Sequence, residues 1–231
     1  MNSEKLLIWI KYIKYSMKDC DFMNIEIVKP MDIEKKSFEI IGEILGGRCF
    51  SPLEEPVIKR VIHTSADFDY ADNLEFSPYA VESGIEAIKS GCRIITDTRM
   101  AFSGINKRVL SQFGTEVDCY IDNPDVAQEA REREITRSAV CMEKAALNPQ
   151  NKIFAIGNAP TALIRLYELV QEKKISPELV IGVPVGFVNV IESKELFRTC
   201  DVPYIIARGR KGGSNIAAAI VNALSYMAAG R

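Results

Sequence analysis

Ile153-Phe154-Ala155-Ile156-Gly157-Asn158-Ala159-Pro160-Thr161 passes from an apolar run into a loop of small residues, and a helical pattern follows from Pro160 to Lys173. The run suits a buried β-strand, and proline is tolerated in a first helical turn, where its missing N–H has no intrahelical partner to lose. The same passage recurs twice downstream. Leu179–Val183 runs into Pro184-Val185-Gly186-Phe187, and Tyr204–Ala207 runs into Gly209-Arg210-Lys211-Gly212-Gly213-Ser214. Loops at the carboxyl ends of parallel strands are where α/β proteins place ligands. Glycine there lets the backbone approach a ligand, and the next helix start offers unpaired N–H groups to anions. The three loops together read as a site for a bulky, negatively charged molecule.

Upstream, Arg93–Thr96 and Glu116–Ile121 add two further β-like runs. The predicted connecting helices are Phe102–Phe113, Pro124–Leu147, Pro160–Lys173, Phe187–Thr199 and Ser214–Ala229. Such alternation implies βαβ units and a parallel sheet with right-handed crossovers. Three helical pieces, Ile33–Leu45, Glu55–Thr64 and Pro78–Ser90, precede the first run without any linker-like stretch. Residues 24–231 therefore read as one domain. Ser214, after two glycines, is expected to cap the last helix. That helix has almost no polar face, which places it at a dimer interface or, nearly as well, in the core; the dimer interface is the expectation.

The 231 residues suffice to bury a real core, and 47% hydrophobic with 26% charged residues is ordinary globular composition. A formal charge of −2 supplies no basic field for nucleic acid. Cys20, Cys49, Cys92, Cys119, Cys141 and Cys200 form no CxxC pair and read as reduced thiols of a cytoplasmic protein. With His63 the one histidine, no metal site is expected. Leu6-Leu7-Ile8-Trp9-Ile10 is too short for a membrane span, so residues 1–23 read as a peripheral extension or an upstream start, with an interfacial anchor helix as the alternative.

Around His63 the helical angles put Val57, Ile58, Val61 and Ile62 on one face. Lys59, Arg60 and His63 fall opposite, joined by Asp67 if the helix continues. His63 thus points to solvent or into a cleft, as an ordinary surface residue or as a proton donor in general acid catalysis. Thr96-Asp97 ends the first parallel strand, as a turn or cap for the next helix or as a ligand contact. Thr136-Arg137-Ser138 lies in a charged helical stretch, and Arg137 is either solvated or a carboxylate clamp. The loop Gly209–Ser214 lacks the spacing of a nucleotide loop but suits an anion at a helix start.

Taken together, Ser37-Phe38, Arg60-Val61-Ile62-His63, Thr96-Asp97, Thr136-Arg137-Ser138, Gly157-Asn158-Ala159-Pro160-Thr161-Ala162-Leu163, Gly182-Val183-Pro184-Val185-Gly186-Phe187-Val188 and Gly209–Ser214 resemble the precorrin-8X methylmutases of cobalamin biosynthesis. The resemblance runs from about residue 25 to the C-terminus and leaves out the first 23 residues. It implies a flavodoxin-like, doubly wound, three-layer α/β fold with a five-stranded parallel sheet in the order 2-1-3-4-5, and a homodimer. It further implies migration of a methyl group from C-11 to C-12 of precorrin-8 or its cobalt form, without an external cofactor, any cobalt being carried by the substrate.

His63 matches the family's catalytic histidine. The residues implied to hold the substrate are Ser37, Arg60, Thr96, Asp97, Asn106, Arg137, Ser138, Gly157, Asn158, Ala159, Pro184, Val185, Gly186, Gly212, Gly213 and Ser214. Asn106 stands where some family members have a threonine, so that contact differs. Two alternatives use the same loops: a non-catalytic tetrapyrrole carrier, and a flavodoxin-like binder of a nucleotide or flavin.

Overall fold

A computed structural model describes residues 28–230, so the predicted extension 1–23 and its boundary lie outside the described residues. The chain groups into two compact units, residues 1–39 and 40–231. Helix α1 (Ile33–Leu45) leads from the first into the second. In the first unit the Ser37 hydroxyl donates to the Ile33 carbonyl, 2.9 Å away in its own helix.

The second unit carries a mixed sheet of six strands. These are β1 (Leu74–Phe76), β2 (Arg93–Thr96), β3 (Glu116–Asp118), β4 (Asn151–Ile156), β5 (Leu179–Gly182) and β6 (Tyr204–Ala207), in the order β1-β6-β5-β4-β2-β3. Strands β2 to β6 pair in parallel, as their alternation with helices requires. The expected sheet of five parallel strands is corrected by β1, which lies antiparallel on β6 with Leu74 opposite Ala207 and Phe76 opposite Ile205. Three residues directly after a short helix, α3 (Tyr70–Asn73), give no alternating run to read. Its place at the edge covers one side of β6, which would otherwise present unpaired backbone groups.

Strand residues divide between two cores by the period of two that pleating imposes. Ile94, Ile153, Ala155, Ile181 and Ile205 face one layer, and Ile95, Phe154, Ile156, Val180 and Ile206 face the other. The first layer holds α2 (Glu55–Ser65), α4 (Ala80–Lys89), α5 (Arg99–Gly104) and α11 (Ser214–Ala228). The second holds α7 (Pro124–Glu132), α8 (Arg137–Ala146), α9 (Pro160–Gln171) and α10 (Val190–Phe197). Helix α11 packs against α2, α4 and α5, and its residues from Ile216 to Leu224 are buried apart from Asn222. The expectation of a dimer interface for this helix is therefore corrected: its own chain covers it. Among the described residues no helix is long and apolar enough to cross a membrane.

Three predicted helices are shorter than their patterns. The stretch Pro124–Leu147 is broken between α7 and α8, with Glu134 at φ 53°. The stretch Phe102–Phe113 divides into α5, α6 (Lys107–Leu110) and a 3-10 turn, Ser111–Phe113. Helix α10 starts at Val190, after Asn189 at φ 56°. In each case the side-chain periodicity continues through a backbone turn that it does not reveal.

Candidate functional site

The loops after β4, β5 and β6 meet backbone to backbone. A Cβ on Gly157 would fall 2.6 Å from Ser214 Cα, so only glycine lets the first loop approach the start of α11. A Cβ on Gly212, at φ 157°, would fall 2.1 Å from the Val183 carbonyl oxygen. The Gly213 N–H donates to that same oxygen at 2.9 Å, and the Gly186 N–H donates to the Arg210 carbonyl at 3.3 Å. The three glycine loops thus form one interlocked platform.

Asp97 organises the first loop from within. Its side chain is 1% exposed and accepts the N–H groups of Gly157 (2.9 Å), Asn158 (2.8 Å) and Ala159 (2.8 Å). Burial pushes its carboxyl above the ordinary value, and these donors pull in the opposite direction. Asp97 shapes the loop from within, engaging the amides of residues 157–159. The cap of the next helix is Thr98 and not Asp97: Thr98 accepts from the Ala101 N–H at 3.1 Å.

Thr96 is likewise internal: its hydroxyl lies 3.2 Å from the Thr98 carbonyl and 3.3 Å from the Asp118 carbonyl. Ser214 opens α11 after Gly213 and pairs with the Thr98 hydroxyl at 2.7 Å, so its predicted capping role is not the one it fills. Pro184 and Ala159 are buried, whereas Asn158 turns its side chain outward.

The last loop is anchored twice. Lys194 of α10, fully buried, donates to the carbonyls of Gly209 (2.8 Å) and Lys211 (2.9 Å), and burial lowers its pKa to about 8. The Lys211 ammonium reaches Asp67 (2.7 Å) and Asp69 (2.5 Å). The hydrogen bond from Lys211 holds the Asp67 carboxyl below its usual range and raises the Lys211 pKa in turn. Arg210, between the tied residues, is exposed.

Helix α2 delivers His63 to this neighbourhood. Val57, Ile58, Val61 and Ile62 are buried, and His63 in the last turn is exposed, as the helical angles require. The helix stops at Ser65 because Ala66 takes a left-handed conformation, φ 53°; Asp67 therefore leaves the face of His63 and goes to Lys211. The Arg60 guanidinium lies over the Tyr226 ring, 5.0 Å from its centroid. Tyr226 Oη accepts from Asn106 Nδ2 at 3.2 Å, and Asn106 Oδ1 caps α6 by accepting the Val109 N–H at 3.3 Å. Asn106 thereby locks α6 to α11.

Arg137, exposed, and Ser138 open α8, whose cap Thr136 accepts from the Ala139 N–H and donates to the Thr161 hydroxyl at 2.9 Å. Between α8 and α9 lies a cleft of about 440 Å³, with Ile135, Ala139 and Ile164 among its apolar lining. Its rim holds Arg133 and Arg165, both paired with Glu143. Beside the platform, Val185, Phe187 and Val188 are 45%, 85% and 78% exposed, an apolar surface at the end of β5.

The geometry gathers the three glycine loops with Thr98 and Lys194, and ties them through Lys211 to the end of the His63 helix. Ser37 lies in the first unit. The sequence reading missed Thr98, Asp69, Lys194 and Tyr226. Lys194 carried a signal, since it falls at a core position of the Val190, Ser193, Lys194, Phe197 stripe.

The sequence profile of the precorrin-8X methylmutase family matches residues 32–227. The chain belongs to this family. It is 50% identical to the cobalt-precorrin-8 methylmutase of Salmonella typhimurium, over 87% of this chain and 96% of that protein. Identity with the cobalt-precorrin-8 methylmutase of Priestia megaterium is 45%, over 87% and 89%. The crystal structure of the precorrin-8X methylmutase from Thermus thermophilus superposes with a TM-score of 0.80 at 40% identity, over 86% of this chain and 98% of that one. As a member of the precorrin-8X methylmutase family the chain is an isomerase, and relatives named as enzymes do not favour the carrier reading.

Proposed function

We propose that this chain moves a methyl group from C-11 to C-12 of precorrin-8 or its cobalt form, a step of cobalamin biosynthesis. The family match over residues 32–227, with near full-length coverage of mutases at 45–50% identity, carries the reading. Donor and acceptor carbons belong to one molecule, so the shift needs no external cofactor, and any cobalt arrives in the macrocycle. His63 donates a proton or hydrogen bond to a ring nitrogen beside the migrating centre. That withdraws electrons from the conjugated system and eases a [1,5]-shift. Its exposed position in the last turn of α2 supports this role.

The substrate's acetate and propionate arms are held by Arg60, Arg137, Ser138 and the loop 209–214, which fixes the macrocycle over His63. The apolar surface of Val185, Phe187 and Val188 suits a ring face. The enzyme acts in the cytoplasm as a homodimer. His63→Ala is expected to keep binding the macrocycle and to lose turnover by about two orders of magnitude or more. Absorbance titration and single-turnover rates test this together, and an unchanged rate in the variant removes the role of His63.

A further inference from the structure

Helix α10 turns Val190, Ser193, Lys194 and Phe197 into the protein, and a lysine is out of place on such a stripe. Burying an ammonium is costly unless its hydrogens find acceptors. Methionine would fill the same space without that cost, so the charge is explained by what it holds. Lys194 Nζ holds the carbonyls of Gly209 and Lys211, and the Gly186 N–H holds the carbonyl between them, that of Arg210. Three successive carbonyl oxygens are thus engaged from the protein side. Carbonyl oxygens repel anions, so their withdrawal leaves the outer surface of the loop receptive to a carboxylate, with the Arg210 side chain exposed above it.

We infer that Lys194 is a positioning residue for the acid side chains of the substrate: it turns the Gly209 and Lys211 carbonyls inward and presents Arg210 to a substrate carboxylate. The inference rests on the proposed reading of the substrate as a polycarboxylate macrocycle. Lys211 extends the effect to the His63 helix through Asp67 and Asp69, so the loop and the helix end are held in one arrangement.

The test compares the full-length wild type with Lys194→Met and Lys194→Ala, by amide hydrogen exchange over residues 208–213 and by steady-state kinetics. In Lys194→Met, exchange is expected to accelerate about tenfold and KM to rise about tenfold, with kcat near that of the wild type, as loss of one charge-assisted contact predicts. In Lys194→Ala, n-propylammonium is expected to occupy the vacated space and restore both slow exchange and low KM. Unchanged exchange in Lys194→Met, or faster exchange with unchanged KM, overturns the inference. Should Lys194→Met fail to fold, Lys194→Ala with the amine decides: recovery of loop protection and KM supports positioning, and failure to recover either overturns it. A wild type that converts no macrocycle overturns the functional reading instead, and amide exchange then judges the anchoring of the loop by itself.

Discussion

The Lys211 ammonium lies 2.7 Å from a carboxylate oxygen of Asp67, which joins the loop after β6 to the segment that terminates the His63 helix. Two parts of the site from opposite ends of the chain are thereby held together by one side chain. Lys211→Met is expected to raise KM several-fold. Its thermal stability should change little, because the Lys211 ammonium is screened by solvent. Kinetics alongside a thermal melt check this, and a large drop in stability with unchanged KM argues against the coupling.

Asp97 is expected to be essential for stability rather than for binding. Asp97→Ala leaves three N–H groups without an acceptor, those of Gly157 and Ala159 buried, at a cost of at least about 2 kcal/mol in urea unfolding. Asp97→Asn keeps the shape but turns an N–H₂ group towards amide donors, so it should recover only part of the loss. Wild-type stability in either variant contradicts the assignment.

Glycine is required at position 157 for space and not for backbone freedom. Gly157→Ala places a Cβ among the backbone atoms of Gly213 and Ser214, so the first loop and the start of α11 must separate. It should lower both the melting temperature and turnover. Gly209→Ala meets no atom within 4 Å and is limited to the strain of φ +73°, of order 1 kcal/mol. Equal melting temperatures for the two variants are the result that contradicts the interlocked platform.

Stability is expected to fall at alkaline pH. Burial pushes the Cys92 and Cys141 thiols up to about 12 from an ordinary 9.0. Above pH 9 the unfolded chain releases these protons while the folded chain keeps them, so stability declines by about 1.4 kcal/mol per pH unit for each thiol. Lys194 acts in the opposite sense from about pH 8 to its ordinary value of 10.5, since there the unfolded chain holds the proton that the folded chain has lost. The two thiols outweigh it above pH 9. Chemical denaturation between pH 8 and 11 should show the decline in the wild type and a shallower one in Cys92→Ala.

Much of this architecture was legible because apolar runs and glycine loops are local signals. The parallel strands follow from continuous apolar runs alternating with helical patterns, and His63 on the polar side of α2 follows from the period of 3.6. Strand β1 was not legible, since three residues carry no period, and its role comes from pairing with the distant β6. The roles of Asp97, Asn106 and Ser214 were hidden for a related reason. Each makes its decisive hydrogen bond to a residue 60 or more positions away: Gly157 for Asp97, Tyr226 for Asn106 and Thr98 for Ser214. A polar side chain beside a loop reads equally as ligand contact or as internal brace, and only tertiary placement separates the two.

The most direct test of the central claim follows the methyl group itself. Precorrin-8 and its cobalt form, labelled with ¹³C in the C-11 methyl, are incubated with the purified protein and followed by NMR and mass spectrometry. The label is expected on C-12 at unchanged mass for at least one of the two, with conversion abolished or strongly slowed in His63→Ala. Tight binding of both forms with the label still on C-11 contradicts it.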